Sequence, residues 1–218
     1  MRGTSIKGKL NTIQFPKPTG KRCLMMPFIQ GEPKSVPEKY RSGYEDILKN
    51  TYLEGQKGMV GFLTIDESIA QKNKPHRGKG SKYDRAIHTE ASKHPWKVRY
   101  GWGGWSWGKS NNVNLSRDVQ ILLANNVDNS CAVWDDECEN TTVDGDLGAI
   151  ADRYPYDESI IMKSGEVHQI GILTPHESLP VSKTCNRQFL RIVGVGVTGR
   201  EPYFTKNPYF AKYDSLFN

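Results

Sequence analysis

Two histidines and a glutamate are the residues in this chain best suited to chemistry. His88 and Glu90 are separated by one residue in "IHTE", so in a strand both side chains point to the same face. His176 lies on a later strand-like segment. Two imidazole nitrogens and one carboxylate oxygen that meet at one point form the ligand set that suits ferrous iron and leaves coordination positions open. The sequence therefore predicts a metal site at His88, Glu90 and His176.

Arginines on the last predicted strand are candidates for holding a co-substrate at this site. An oxo-acid that chelates iron needs its far carboxylate held, and a guanidinium does so through two charge-assisted hydrogen bonds. Arg187 opens the strand that follows His176, which makes it the preferred anchor. Arg191 lies on the same face of that strand and is the alternative anchor. Ser178 is expected to add a hydroxyl contact.

His168 competes with His176 for the position of the distal ligand. If the strand that contains "EVHQIGILT" stays regular past Pro175, both histidines point to the same face. One of them would then bind the metal while the other supports it from behind. We favour His176 because of its spacing to Arg187 and keep His168 as the reserve ligand.

Strand-like segments make up most of the chain. Residues 36–56 are the best helix candidate, because apolar and aromatic residues recur there at helical spacing and Pro37 suits a first turn. About seven short strand-like runs follow, without helices between them, which is typical of a sandwich or open barrel. We interpret residues 1–218 as a single, mainly β domain. Its parts are an N-terminal arm (1–35) with one short strand at "RCLMMPFI", the helix (36–56), a β core (58–197) and a C-terminal tail (198–218).

The order of these motifs resembles that of the iron(II)/2-oxoglutarate-dependent oxygenases. The segment "GEVHQIGILTPHESLPVSKTCNRQFLRIV" resembles the final part of that family: a glycine turn, a strand ending in the distal histidine, a proline, and an arginine opening the last strand. The H-T-E form of the first motif resembles the group around clavaminate synthase and taurine dioxygenase. The resemblance covers residues 58–197. It implies a double-stranded β-helix (jelly roll), Fe(II) held by the three ligands, 2-oxoglutarate held by Arg187, and hydroxylation of a C–H bond.

Three tryptophans in "GWGGWSWG" are candidates for contact with the substrate: Trp102, Trp105 and Trp107. Within the resemblance, this stretch is an insertion near the mouth of the site. Glycines separate the indoles, so not all of them can be buried in the core. They form either a stacking platform for a base or a sugar, or a cluster that packs beneath a loop.

Charge and cysteine content limit the partners and the compartment. The formal net charge is +6, and the excess of lysine and arginine lies in the first 100 residues, so this half either attracts nucleic acid or forms a solvated surface. No segment reaches the length of about 18 apolar residues that suggests a membrane span. The start lacks the apolar core of a secretory signal, so we expect a cytoplasmic protein. The four cysteines are expected to be reduced, with a Cys131–Cys138 disulfide as the alternative.

The sequence leaves three functions open. The preferred one is an Fe(II)/2-oxoglutarate-dependent dioxygenase that acts on a small-molecule substrate or a nucleobase. The second is a non-enzymatic jelly-roll protein that binds nucleic acid or assembles into a viral-type particle. The third is a cupin-like metal enzyme or sugar-binding barrel that does not use 2-oxoglutarate. Nucleotide hydrolysis is disfavoured because "HRGKGSK" lacks the spacing of a phosphate-binding loop.

Overall fold

The chain folds into antiparallel β-sheets with little helix. The computed structural model describes residues 6–76, 83–94, 97–100, 109–110, 119–138, 145–195 and 204–211. The strands are β1 (Ile6–Thr12), β2 (Arg22–Ile29), β3 (Val60–Ala70), β4 (Ala91–His94), β5 (Lys97–Tyr100), β6 (Lys109–Ser110), β7 (Gln120–Asn125), β8 (Cys131–Val133), β9 (Ile160–Ile161), β10 (Glu166–Gly171), β11 (His176–Ser178) and β12 (Cys185–Val193). The α-helices are α1 (Glu38–Arg41) and α2 (Glu45–Asn50).

A six-stranded sheet in the order β1-β10-β7-β12-β3-β2 forms the larger layer. It is buried on both faces, and β12 shows how. Phe189 and Val193 pack on the inner face against Cys131 of the small sheet, while Leu190 packs on the outer face in the cluster that contains Leu48 of α2. A strand covered on both faces needs apolar residues at consecutive positions, which is why β12 lacks a strict apolar-polar alternation.

A three-stranded sheet in the order β11-β8-β9 forms the smaller layer. Its inner face packs against the large sheet, so the predicted mainly β class is confirmed as a two-layer β-sandwich. The chain around His88 lies beside β11, joined through an isolated antiparallel bridge between His88 and His176. A third sheet consists of β4, β5 and β6. The two layers place the candidate ligands between them, on the inner face of the small sheet.

The first 56 residues differ from the prediction. Residues 1–35 are not a simple arm, because β1 and β2 form the two opposite edges of the large sheet. Strand β2 was predicted, whereas β1 was missed because "IKGKLNT" holds only two large apolar residues, Ile6 and Leu10. The single helix over 36–56 is wrong: the chain forms α1 and α2, separated by Gly43, whose φ of +82° ends a helix.

The described part of the C-terminal tail is residues 204–211. Thr205 exchanges hydrogen bonds with Leu24, so this segment lies along the edge strand β2. All four cysteines carry free thiols, as predicted, and the alternative Cys131–Cys138 disulfide is not formed. Of the helices in the described ranges, none has both the length and the apolar character needed to span a bilayer.

Candidate metal centre

The three predicted ligands converge. The ligand atoms of His88, Glu90 and His176 all lie within 4.8 Å of one another. All three residues are buried, with exposed fractions of 7%, 4% and 7% respectively. The two imidazole rings are neighbours, with their centroids 4.3 Å apart. The convergence that the sequence predicts is therefore present in the structure.

Backbone hydrogen bonds hold the ligands in place. His88 and His176 each donate their N–H to the carbonyl oxygen of the other, at 3.0 and 2.9 Å. Glu90 donates its N–H to the carbonyl oxygen of Ile172 at 2.9 Å. The segment 86–90 is therefore fixed against β11 and the turn before it, although it forms no regular strand of its own.

The hydrogen bonds of the two imidazoles define their tautomers. Nδ1 of His88 lies 2.7 Å from the carbonyl oxygen of Ala86, and Nδ1 of His176 lies 3.0 Å from that of Thr174. A carbonyl oxygen only accepts, so each Nδ1 carries the proton. In a neutral imidazole the lone pair is then on Nε2, which is the tautomer that a metal-binding histidine supported by a backbone carbonyl adopts.

Glu90 is held in its ionised form by a buried arginine. Nη1 of Arg191 donates to Oε1 of Glu90 at 2.5 Å, and Nε2 of His176 lies 3.6 Å from the same oxygen. Burial alone raises the pKa of Glu90. The charge of the Arg191 guanidinium is the main influence that opposes burial, and the pKa lies well below its usual range. Arg191, the alternative co-substrate anchor, thus contacts a candidate metal ligand.

The arrangement offers three ligand atoms to one cation. No protein-family model, curated protein or solved structure matches this chain. Two imidazole nitrogens and one carboxylate oxygen, with the carboxylate also paired to Arg191, form a three-ligand set that leaves further coordination positions open to other molecules. The burial of the cluster limits the access of water.

Arg187 and Ser178 are both buried in the interior. Arg187 shares the inner face of β12 with Phe189 and is 2% exposed, with its guanidinium carbon 5.2 Å from the Phe189 ring centroid. Ser178 lies two residues after His176 on β11, opposite Cys131 in the register. Burial raises the pKa of Cys131 to about 11, and the charge of Arg187 opposes this shift. Arg187 and Ser178 therefore both lie in the interior, one on each layer of the sandwich.

His168 lies outside the ligand cluster. Its Nε2 contacts Oε2 of Glu166 at 3.2 Å. The condition under which both histidines share a face, one regular strand through both, is not met, because β10 ends at Gly171 and the chain then turns into the other sheet. Thr174 closes this turn by donating its N–H to the carbonyl oxygen of Gly171. Of the two alternatives for the distal ligand, the geometry selects His176 and not the reserve candidate.

Sequence reasoning named three tryptophans as substrate contacts and overlooked one ion pair. Trp102, Trp105 and Trp107 lie outside the described residues. Arg85 and Glu177 were missed. They form an ion pair with 2.9 Å between Nη2 and Oε2, on the face of β11 opposite to His176. The one local signal was that Glu177 directly follows a predicted ligand.

Proposed function

We propose that this protein is an iron(II)- and 2-oxoglutarate-dependent oxygenase that hydroxylates a C–H bond of its substrate. The observation that carries the proposal is the buried cluster of His88, Glu90 and His176, whose ligand atoms lie within 4.8 Å of one another. A 2-His-1-carboxylate set with open positions suits non-haem Fe(II) that reacts with oxygen. The same ligand types also serve catalytic zinc. We favour iron because the buried guanidinium of Arg187 suits the far carboxylate of an oxo-acid that chelates iron.

The strand order supports a double-stranded β-helix as the fold. From β3 onward, the chain alternates between layers: β3 lies in the large sheet, the His88 segment beside the small sheet, and β7 in the large sheet. Strands β8 and β9 follow in the small sheet, then β10 in the large, β11 in the small and β12 in the large. Two facing antiparallel sheets built by such crossing are typical of a jelly roll.

Arg187 is the proposed anchor of 2-oxoglutarate. Arg191 pairs with Glu90, so its charge serves a metal ligand. Arg187 lies four residues before Arg191 on the same inner face of β12, and Ser178 is buried on β11 of the facing sheet. A guanidinium in this position binds the far carboxylate of an oxo-acid bidentately, and the hydroxyl adds a further hydrogen bond.

Each residue then has a defined task. His88 and His176 present the Nε2 lone pair, and Arg191 keeps Glu90 ionised. With 2-oxoglutarate and dioxygen, the iron supplies oxidative decarboxylation to succinate and carbon dioxide, coupled to insertion of one oxygen atom into the C–H bond. Burial of the cluster restricts water. A small molecule or a nucleobase, stacked on the predicted tryptophan platform, is the proposed substrate class.

Anaerobic titration with Fe(II) followed by 2-oxoglutarate tests the proposal. The chelate that they form gives a weak visible charge-transfer band, which we expect in the wild type. His176→Ala should abolish metal binding. Arg187→Met should retain the metal but bind 2-oxoglutarate at least tenfold more weakly. Arg22→Met is the matched control, because the Arg22 side chain is 71% exposed, and we expect wild-type behaviour.

The outcomes separate the alternatives. Metal binding without a band, unchanged in Arg187→Met, would favour a cupin-like metal protein that does not use 2-oxoglutarate. A folded wild type that binds no metal but binds nucleic acid with strong salt dependence would favour the non-enzymatic jelly-roll protein. Either result would overturn the oxygenase proposal.

A further inference from the structure

We propose that Arg85 and Glu177 are positioning residues that set the separation of the two metal histidines from the opposite face of the small sheet. The inference rests on the proposed function of His88 and His176 as ligands. Glu177 directly follows His176 in β11, so its side chain points away from the ligand cluster. It is nevertheless 4% exposed, which means that the outer face of the small sheet is also covered.

Both oxygens of the Glu177 carboxylate hold the chain that leads into His88. Nε and Nη2 of Arg85 donate to Oε2 at 3.1 and 2.9 Å. The backbone N–H of Ala86 donates to Oε1 at 3.1 Å. The carboxylate next to one ligand is therefore bonded to two consecutive residues just before the other ligand. We call Arg85 and Glu177 the clamp.

The surroundings of Arg85 prevent the clamp from shifting. Its Nη1 donates to the carbonyl oxygens of Ala151 and Tyr154, at 3.0 and 2.8 Å. The guanidinium carbon lies 4.3 Å from the ring centroid of Tyr156 and 5.3 Å from that of Trp134. A planar guanidinium makes these contacts simultaneously, whereas a lysine ammonium cannot.

The tyrosine hydroxyl completes the enclosure of the carboxylate. Tyr156 donates its O–H to Oε2 of Glu177 at 3.2 Å, while its ring contacts Arg85. Trp134 belongs to the buried cluster that covers the outer face of the small sheet, whereas Tyr156 is 46% exposed and borders the solvent. Glu177 is buried and Arg85 is half-buried, and replacing a buried ion pair by apolar residues is often neutral or stabilising. A role in geometry explains this pair better than a role in stability.

The ligand segment is held by isolated bridges and not by a regular ladder, so the clamp adds a further constraint. His88 bridges His176 on one side and Asp146 on the other, whereas β12 is paired along its length with β3. A small displacement of one imidazole lowers metal affinity, and outer partners of ligands typically contribute 10- to 100-fold. The clamp supplies this constraint without touching the ligand atoms.

Titration with Co(II) and Fe(II) under anaerobic conditions tests the clamp. We expect Glu177→Gln and Arg85→Lys to weaken metal binding by about 10- to 100-fold and to change the visible spectrum of the Co(II) form. The double variant Arg85→Met/Glu177→Met should lose no more metal affinity than the single variant that binds metal least tightly, because the two residues act as a unit. The unfolding midpoint is measured in parallel.

Tyr44→Phe is the control for a purely structural effect. Tyr44 donates to Glu67 at 2.8 Å in a buried network on the outer side of the large sheet. The variant should lower the unfolding midpoint yet keep wild-type metal affinity and spectrum. If a clamp variant fails to fold, Tyr156→Phe, which removes only the hydroxyl on Glu177, should weaken metal binding in the same direction but less.

The two proposals fail in different ways. A wild type that binds no metal overturns both the metal centre and the clamp. Clamp variants that fold and bind metal with wild-type affinity and spectrum overturn the clamp alone. Equal losses of affinity in Tyr44→Phe and Glu177→Gln would also overturn it, because affinity would then follow stability.

Discussion

His88 and His176 lie directly opposite each other, and the backbone N–H of each donates to the carbonyl oxygen of the other at 3.0 and 2.9 Å. The two imidazoles therefore meet through the peptide backbone, while the side chains make their own hydrogen bonds to Ala86 and Thr174. Substitution of either side chain leaves these backbone bonds available.

His176→Ala should therefore remove the metal site without unfolding the protein. The backbone bridge to His88 remains, and the carbonyl oxygen of Thr174 loses a donor, which costs about 1–3 kcal/mol of unfolding free energy. Metal titration and urea unfolding measure the two effects separately. Wild-type metal affinity in this variant would exclude His176 from the ligand set.

Arg191→Met should destabilise the protein more than any exposed arginine substitution. It leaves the carboxylate of Glu90 buried without its main counter-charge, which costs about 3–5 kcal/mol. Added divalent metal should restore part of this loss, because a cation bound to the folded state stabilises it. Urea unfolding with and without metal measures both effects.

Arg22→Met provides the matched comparison for this buried pair. Arg22 pairs with Asp66 at 3.1 Å, but its side chain is 71% exposed. Exposed pairs contribute about 0–1 kcal/mol, and metal should not change the result. Equal losses in the two variants would contradict the importance of the Arg191–Glu90 pair.

Gly145→Ala should disturb the ligand segment specifically. Gly145 has a φ of +75°, and a Cβ there would lie 2.4 Å from the carbonyl oxygen of Thr89, between the two ligands His88 and Glu90. The expected result is weaker metal binding together with a loss of stability. Gly55→Ala is the control, since its φ is +72° and no atom lies within 4 Å of the added Cβ.

Both glycine variants share the strain of a left-handed conformation, about 1–2 kcal/mol. Calorimetry gives the stability of each variant and metal titration gives its affinity. Only Gly145→Ala is expected to lose affinity. A similar loss in both variants would assign the effect to general destabilisation.

Glu67 should make stability depend on pH. Burial alone would raise the pKa of Glu67. Hydrogen bonds to its carboxylate from the N–H groups of Lys21 and Thr19 and from the side chains of Tyr44 and Gln188 lower the pKa by more than burial raises it. The folded-state pKa therefore lies below the ordinary 4.5. A lowered pKa contributes stability above pH 4.5 that is lost as the pH falls through the folded-state value. The difference in unfolding free energy between the wild type and Glu67→Gln should therefore shrink below pH 4.5.

A series of urea unfolding curves from pH 7 to pH 3 measures this difference. Glu32→Gln is a suitable reference, because Glu32 lies in the exposed turn after β2. A difference between the wild type and Glu67→Gln that stays constant over the whole range would contradict the contribution of the Glu67 charge.

The His88–Glu90 half of the cluster was predictable from local periodicity, and His176 was predictable from its spacing to Arg187. His88 and Glu90 share a face through their spacing of two residues, and β12 was recognisable from its apolar run. The turn between β10 and β11 was not predictable, since "GILTP" continues the apolar pattern while the backbone changes sheets at Gly171. This turn is what separates His168 from the site.

The partners of the ligands were less accessible from sequence. Arg187 and Arg191 lie on the same face of one strand, and only the facing sheet determines that Arg191 meets Glu90. Arg85 and Glu177 are distant in the chain and carry no shared motif. Strand β1 was missed for a related reason: its pairing with β10 comes from backbone hydrogen bonds and not from an apolar pattern.

The pairing of β3 with β12 has a consequence for biosynthesis. The inner wall behind the cluster includes Arg191, which pairs in register with Thr64 of β3. A nascent chain on the ribosome therefore holds Glu90 without its guanidinium until β12 has left the exit tunnel. The Arg191–Glu90 pair of the candidate metal centre is therefore completed only when β12 docks on β3, after both histidines of the cluster have been synthesised.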